Sequence, residues 1–585
     1  MSCSDFAKTY MKSPRFGCDS SSCAPRKPVS YHRKCFNQFD ACKGNTQTNE
    51  NVIIYVDAGS GNDSNSGDSP SSAMRTLDGA IARLGTRQGN LGIIQLVGTT
   101  EFVLPEDYVF DAREMETKYT RIIIKGTRYN VVSGIVGSVT EDHGPYIPTV
   151  TGNPAAITDN EYRWQTISAS NLVAGMYNEK YFDNLTNGHA YTIKENSTTS
   201  ISVLATNPSP DDDNDSVLIL ETGDKYQIFT IFNSFRFSGE FQIMTNVKGF
   251  VEFNGVRIIP DAIGSKMITP TGPPYVNFLF CEIYITFSNE SAGRLSIFPG
   301  SRMYEGCVFK NTDSAITRLK NSSTYNTEYN CYVSCIFEKV IIDHAGFSDI
   351  ISCWLKDSQM IFAGFNSLYY SLIENSLELA NLVLDCKIGR LRAFQNQFID
   401  SRPTGTALIN NDANSIGNYS SNRIETALTA FRVYDNASIV AVSCVVNISS
   451  DLGRVLISAR NGNTYLSNCM CINTSLTSTV PHFYLITGSL VLNNSSVTRN
   501  SANQRIIEMT QLSKIAITNL SVADVAVPTA IAVILQAGSS GYGNNITGIN
   551  GTNQLRVGDT VAGGFYTQND YGVPTTQNCS WFQQP

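Results

Sequence analysis

The chain has 585 residues, of which 42% are apolar and only 16% charged, with a net charge of −8. An average soluble domain carries about 25% charge, so this chain is charge-poor without being apolar. Its richness in Asn, Ser, Thr and Gly speaks against coiled coils and helical bundles, and its low net charge and ample apolar content speak against disorder.

In chain order, residues 1–43 come first. They hold Lys8, Lys12, Arg15, Arg26, Lys27, Arg33, Lys34 and Lys43 against Asp5, Asp19 and Asp40, a balance of +5 that leaves −13 for the remainder. A basic segment ahead of an acidic body reads as a docking arm, assigned to residues 1–50. The arm also carries Cys3, Cys18, Cys23, Cys35 and Cys42. Their spacing is looser than the tight C-x2-C pairs of zinc sites, which leaves disulfides or intermolecular crosslinks, zinc, and free thiols open. The opening residues MSCSDFAKTYMKSPRF lack the apolar core of a secretory leader. No apolar run approaches the roughly 18 residues of a membrane span. Without a leader, the sixteen Asn-x-Ser/Thr sequons read as chance in an Asn-rich chain.

Residues 53–84 predict a short strand, a Gly/Asn/Asp/Ser loop and then a helix, with Met74, Leu77, Ala80, Ile81 and Leu84 on one face. Residues 51–115 are therefore assigned to an N-terminal cap with its lead-in strands. Residues 116–250 read as early coils with an insertion, 151–235 being the least regular part.

From residue 251 a repeat takes over. The pattern apolar-x-(Cys/Asn)-x-apolar recurs with anchors at Asn254, Cys281, Cys307, Cys335, Cys353, Ser371, Asn396, Asn422, Cys444, Cys469, Asn494, Asn519 and Asn545. Gaps of 18–28 residues average about 24. The residue two beyond the anchor is apolar in Ile283, Phe309, Phe337, Leu355, Ile373, Phe398, Ile424 and Val446, so anchor and anchor+2 share one face of a strand. Such a strand at this period predicts an all-β solenoid of about 12 or more coils over 251–550, closed by a C-terminal cap at 551–585. The central cysteines then read as small stacked hydrophobes. The outward anchor+3 column runs Lys310, Glu338, Lys356, Glu374, Ile399, Glu425, which predicts a ladder of ion pairs between coils.

The motif YVD, a Gly/Asn/Asp loop, TL-x-x-AI, then Ile-Lys-Gly and Cys/Asn-anchored coils resembles the right-handed parallel β-helix proteins of the pectate-lyase-like superfamily. The resemblance covers about residues 51–550. It implies an early helix capping the open end of the solenoid. Members of the superfamily include polysaccharide lyases and hydrolases, phage tailspikes and structural proteins of large DNA virus particles.

The polygalacturonase-type enzymes of that superfamily carry Asn-Thr-Asp, Asp-Asp, Gly-His-Gly and Arg-Ile-Lys in order. This chain has Asn311-Thr312-Asp313 and Arg318-Leu319-Lys320 five residues apart, with neither middle motif between, and His344 after the Arg. No catalytic set is therefore assigned. The acidic runs 57–68 and 211–215 are weak matches to calcium loops, and neither metal nor cofactor is expected. Trp354, at an outward anchor+1 position, is the candidate for stacking on a sugar ring. The resulting expectation is a non-enzymatic structural protein located in the virion, a spike, fibre or capsid-associated component. It would dock to other capsid proteins through residues 1–50 and contact host polysaccharide and further copies of itself, but neither nucleic acid nor membrane. A polysaccharide lyase or hydrolase and a glycan-binding adhesin without turnover are the alternatives.

Overall fold

Three short strands and two corners make one coil. In the coil Tyr329–Val333, Ile336–Glu338, Val340–His344, each strand pairs in parallel with its counterpart one coil on, namely Phe347–Ile351, Trp354–Lys356 and Gln359–Phe362. The computed structural model describes residues 50–99, 101–143, 162–204 and 220–547, less 171, 187–188, 262–264, 271–274, 286–294, 298–299, 312–316, 321–328, 345, 377–381, 388, 403–405, 525–532 and 536–538, and three short strands beyond. The arm's basic residues, its five cysteines and the acidic run 211–215 lie outside the described residues.

The third face is a sheet of 16 stacked strands, while the first and second faces join into one of 29. Ten consecutive coils, from Val251–Asn254 to Phe483–Ile486, carry three separate strands, against the twelve or more that the repeat predicts. The difference lies at the ends. Ahead of residue 251 an insertion interrupts a coil, and from Ser489–Arg499 onward the first two faces run as one continuous strand. Past residue 551, Leu555–Val557, Phe565–Thr567 and Phe582–Gln583 extend the same ladders.

The corner between the first and second faces explains the anchor. One residue there adopts a left-handed backbone (Ser334 at φ 50°, Ser352 at 52°, Gln395 at 49°, Ser421 at 54°), and the anchor follows it. Turning the chain leaves the anchor's own N–H without a strand partner, and a buried N–H needs one. The next coil's anchor side chain supplies it. Ser371 Oγ accepts from Cys353 N at 3.1 Å, Asn396 Oδ1 from Ser371 N at 2.9 Å, Asn422 Oδ1 from Asn396 N at 2.9 Å, and Ser495 Oγ from Cys469 N at 3.2 Å. A small side chain with an acceptor meets that need, which is why most of the column from Cys281 to Ser495 is written in Ser, Asn and Cys.

Four anchors move by a residue or two, Asn545 among them, since Leu520 pairs with Ile546. Arg257 pairs with Glu282, so Val256 rather than Asn254 stacks under Cys281. Met470 pairs with Ser496 and Ser495 with Leu520, so Ser495 and Leu520 hold the positions expected of Asn494 and Asn519. Those asparagines instead take the left-handed corner (φ 46° and 54°), which Asn tolerates better than most residues. Asn519 Nδ2 there donates to Asn494 Oδ1 at 2.6 Å on the surface.

Inside, side chains stack coil on coil. Phe253, Phe278, Tyr304 and Tyr332 form a column with successive centroids 5.1, 5.1 and 5.0 Å apart. Every anchor+2 residue named above is buried in the same core.

The front end is closed by helix α1, Leu77–Gly85, which buries Leu77, Ala80 and Leu84. Asp63 organises its start, accepting from Arg75 N at 2.8 Å, Thr76 N at 2.9 Å and Thr76 Oγ1 at 2.8 Å, while Thr76 caps Gly79 N. Burial alone would raise its pKa, but these bonds hold it below the usual carboxylate range. Asp57 accepts from Gly59 N and Ser60, and Asp68 pairs with Arg87, so the acidic loop 57–68 commits its carboxylates to separate local partners. Met74 sits ahead of the helix and bridges Val56, and Ile81 is half-buried.

The insertion leaves the solenoid at that same first corner. Arg121–Lys125 is a first-face strand and Ser234–Phe237 a second-face strand of one coil. Between them, seven antiparallel strands form a separate sheet in the order Arg128–Ile135, Lys225–Ile231, Tyr181–Asn184, His189–Asn196, Ser200–Leu204, Tyr162–Ser168, Val139–His143. Asn233 takes the vacated anchor role and accepts from Thr127 N at 2.8 Å.

Candidate functional site

Second-face strands carry two outward columns. At anchor+1 stand Val308, Ile336, Trp354 and Leu372, and at anchor+3 stand Lys310, Glu338, Lys356 and Glu374, each in direct register with the next. The first column is apolar over four coils. A strand apolar on both faces needs a cover, and the insertion provides it: Tyr181, Leu204, Phe229 and Ile231 pack on that column. Burying each of these large side chains stabilises by about 1.5–3 kcal/mol. Thr192 Oγ1 also donates to Gly306 O across the seam at 2.8 Å.

Trp354 therefore points outward as expected, yet it is only 8% exposed. Its Nε1 donates to Glu374 Oε2 at 2.7 Å, and Lys194 Nζ and Lys356 Nζ lie 5.3 and 5.7 Å from its ring centroid. It is a packing residue of the seam and not an open platform for a sugar. The signal that sequence reasoning missed was the run Val308, Ile336, Trp354, Leu372 itself, a column read one residue at a time.

The charged column has the predicted register but not a simple ladder. Lys356 Nζ meets Glu338 Oε1 at 3.3 Å. Lys310 turns instead to Glu282 Oε1 of the preceding coil at 3.7 Å and to Glu179 Oε2 of the insertion at 3.4 Å. Glu282 also accepts from Arg257 Nε at 2.9 Å and from Tyr284 OH at 2.9 Å. Lys310 stands in direct register with Glu338, so Glu179 of the insertion joins the charged column at that lysine. Burial, and then the Glu338 carboxylate, push the Glu179 pKa up. Burial acts upward on Glu338 too, but Glu179 and the Lys356 charge outweigh it and hold Glu338 low. The ion pair at Lys310 ties the insertion to the second face.

The first face offers a different surface. Phe347 and Phe365 are 39% and 53% exposed, and their rings stack at 5.5 Å with 12° between planes. Exposed Arg390 follows Phe365 in register, and half-buried Arg392 lies two residues on. Tyr329, one coil before Phe347, donates to Asp349.

Of the motif remnants, Asn311 Nδ2 donates to Lys339 O at 3.2 Å, and Thr312 and Asp313 lie outside the described residues. Thr317–Lys320 is a third-face strand paired with Val340–His344. His344 points into the core, 3.0 Å from Tyr332 OH. Among the described residues, no helix is long and apolar enough to cross a membrane.

No protein-family model matches the chain, and no curated protein matches it. Among solved structures it is similar to the crystal structure of the tailspike gp61 of Pseudomonas phage phi297, at 10% identity over 82% of this chain and 74% of that one, with a TM-score of 0.19.

Proposed function

We propose that the chain is a non-enzymatic structural protein of a virus particle, a spike, fibre or capsid-associated component held through residues 1–50, whose first face contacts acidic surface glycans. The observation that carries the glycan contact is the strip of Phe347 and Phe365 beside Arg390. Flat ring faces suit the C–H faces of pyranoses, and a guanidinium fork suits a sugar carboxylate. The corner ladder fixes the spacing of the strip, as a rigid scaffold must. The basic, cysteine-bearing arm supplies the anchor.

Deletion of residues 1–45 is expected to abolish incorporation of the chain into purified particles, followed by mass spectrometry, and unchanged incorporation overturns the arm's role. On an array of acidic oligosaccharides, Phe365→Ala is expected to weaken binding by about tenfold, or ~1.4 kcal/mol. New reducing ends or ultraviolet-absorbing unsaturated products from the intact chain would overturn the non-enzymatic reading in favour of a polysaccharide lyase or hydrolase.

A further inference from the structure

The corner between the second and third faces changes character toward the C-terminal end of the solenoid. In the coil that holds Val445–Ile448 and Leu456–Ala459 it is filled by hydrocarbon, with Ile448 and Val455 both 0% exposed. One coil on, Asn473 stands in register with Ile448. His482 takes the place of Val455, whose N–H donates to His482 O at 2.9 Å. In the coil after that, Arg499 stands in register with Asn473 and donates from Nη1 to Gln504 O at 3.0 Å. His482 N donates to Arg505 O at 3.1 Å, which brings Gln504 alongside the imidazole's own strand end. Two successive coils thus replace an apolar corner with Asn473, His482 and Gln504, each 0% exposed.

These three side chains leave five buried atoms without a hydrogen-bond partner among the described residues: Asn473 Nδ2, both ring nitrogens of His482, and Gln504 Oε1 and Nε2. Buried polar atoms are nearly always satisfied, by protein or by ordered water, and an orphan is costly. Asn473 Oδ1 accepts from Ser475 N at 2.8 Å, so it is the amino end of that amide that is left over.

We propose that this corner holds a sealed cluster of about two water molecules, bonded to Asn473, His482 and Gln504, as an integral part of the solenoid.

The chemistry of the five atoms selects water. The two amide nitrogens can only donate, Gln504 Oε1 can only accept, and a neutral imidazole does one of each. Burial, and then the charge of Arg499, push the His482 pKa down to about 3, so the ring is neutral at ordinary pH, as that double role requires. The occupant must therefore both accept and donate. An anion only accepts and a metal ion only takes lone pairs, so neither meets the set. At two to four bonds for each water, five atoms call for about two molecules. The loop after Asn473 closes over them: Thr474 N donates to Ile448 O at 2.8 Å, and Ser478 Oγ donates to Asp451 O at 2.9 Å.

Diffraction from crystals of the full chain tests the cluster without a variant. Solvent peaks are expected in the corner, each within about 2.6–3.2 Å of at least two of these atoms. A peak with anomalous scattering, or side chains that bond one another with no peak between them, overturns it. Oxygen-17 relaxation dispersion gives a second reading, since it counts waters held longer than the protein takes to tumble. Asn473→Ile and His482→Val copy Ile448 and Val455 one coil back, and with Gln504→Leu they should remove about two long-lived waters from the count. An unchanged count overturns the cluster. If that triple variant fails to fold, Gln504→Leu alone takes its place: loss of at least one long-lived water supports the cluster, and a count equal to the parent's overturns it. The surface-glycan reading rests on the first face and stands or falls separately.

Discussion

Two stretches of one corner column solve the same problem with different chemistry. From Cys281 through Cys307 and Cys335 to Cys353 the anchor is a thiol; from Ser371 through Asn396 to Asn422 it is a hydroxyl or an amide. Both face inward and are fully buried. Thiols donate over long contacts, Cys335 Sγ to Val333 O at 3.3 Å and Cys353 Sγ to Ile351 O at 3.3 Å, and Cys335 N reaches Cys353 Sγ at 3.4 Å. Amides bond short and in several directions: Asn396 Nδ2 to Leu368 O at 2.8 Å and to Asn422 Oδ1 at 3.0 Å, and Asn422 Nδ2 to Ala393 O at 2.9 Å. Beside the thiols run the stacked rings of Phe278, Tyr304 and Tyr332, so that stretch leans on packing. The amide stretch leans on hydrogen bonds. Across these coils the corner uses a small acceptor and leaves its strength to local context, while Val256 and Leu520 take the position near the two ends.

Breaking the amide stretch should have the largest effect. Asn396→Leu has similar size but strands Ser371 N–H and Leu368 C=O in the interior. Each buried group left without a partner costs about 1–3 kcal/mol, so the change should destabilise by roughly 3–5 kcal/mol, read as a lower urea midpoint with an unchanged slope. Asn396→Ser keeps an acceptor and should recover about half of that.

The contrast between the stretches also marks what could be read in advance. The anchor period, the inward anchor+2 residues and the register of Lys310, Glu338, Lys356 and Glu374 were all legible, because side chains alternate strictly along a strand. The slip at Asn494 and Asn519 was not, because Asn suits both a stacked interior and a left-handed corner. Nor was the cover over Trp354. Sequence alternation says which way a side chain points, but not that a sheet inserted more than a hundred residues earlier folds back over it. Glu179 lay in the least regular stretch and had no motif, so its pairing with Lys310 emerges only from the folded chain.

Acid offers a test that the column itself should survive. Neither thiols nor amides gain charge there, but two buried histidines do. Burial, and then the charge of Arg302, push the His344 pKa down to about 3, and burial with Arg499 does the same to His482. His344 belongs to a thiol-stretch coil, and His482 lies beyond the amide stretch. Their folded pKa lies below the unfolded value near 6.5, so the unfolded chain binds protons that the native chain does not, and stability falls as the pH drops from about 6.5 toward about 3. The loss should be about 2 kcal/mol per histidine at about pH 5. Denaturation midpoints of His482→Gln and the parent, compared at neutral and acid pH, should diverge at neutrality and draw together in acid. A constant gap would place the acid sensitivity elsewhere.

The smallest effect sharpens the comparison from the other side. Cys353→Ala removes the Sγ that receives Cys335 N–H and leaves a sulfur-sized gap, for a cost of about 1–2 kcal/mol. Cys353→Ser replaces a long thiol contact with a shorter hydroxyl one, as Ser371 already does one coil on, and should fall within about 1 kcal/mol of the parent. If Ser were as damaging as Ala, the thiol would matter for its volume and not as an acceptor. Burial also pushes the pKa of Cys307, Cys335 and Cys353 well above the ordinary thiol value. Since the thiolate is the reactive form, these cysteines should resist iodoacetamide in the native chain near neutral pH and react once it is unfolded. Native labelling at Cys335 or Cys353, read by peptide mass, would show the corner opening on its own. In that event the thiol stretch, and not the amide stretch, would be where the solenoid first comes apart.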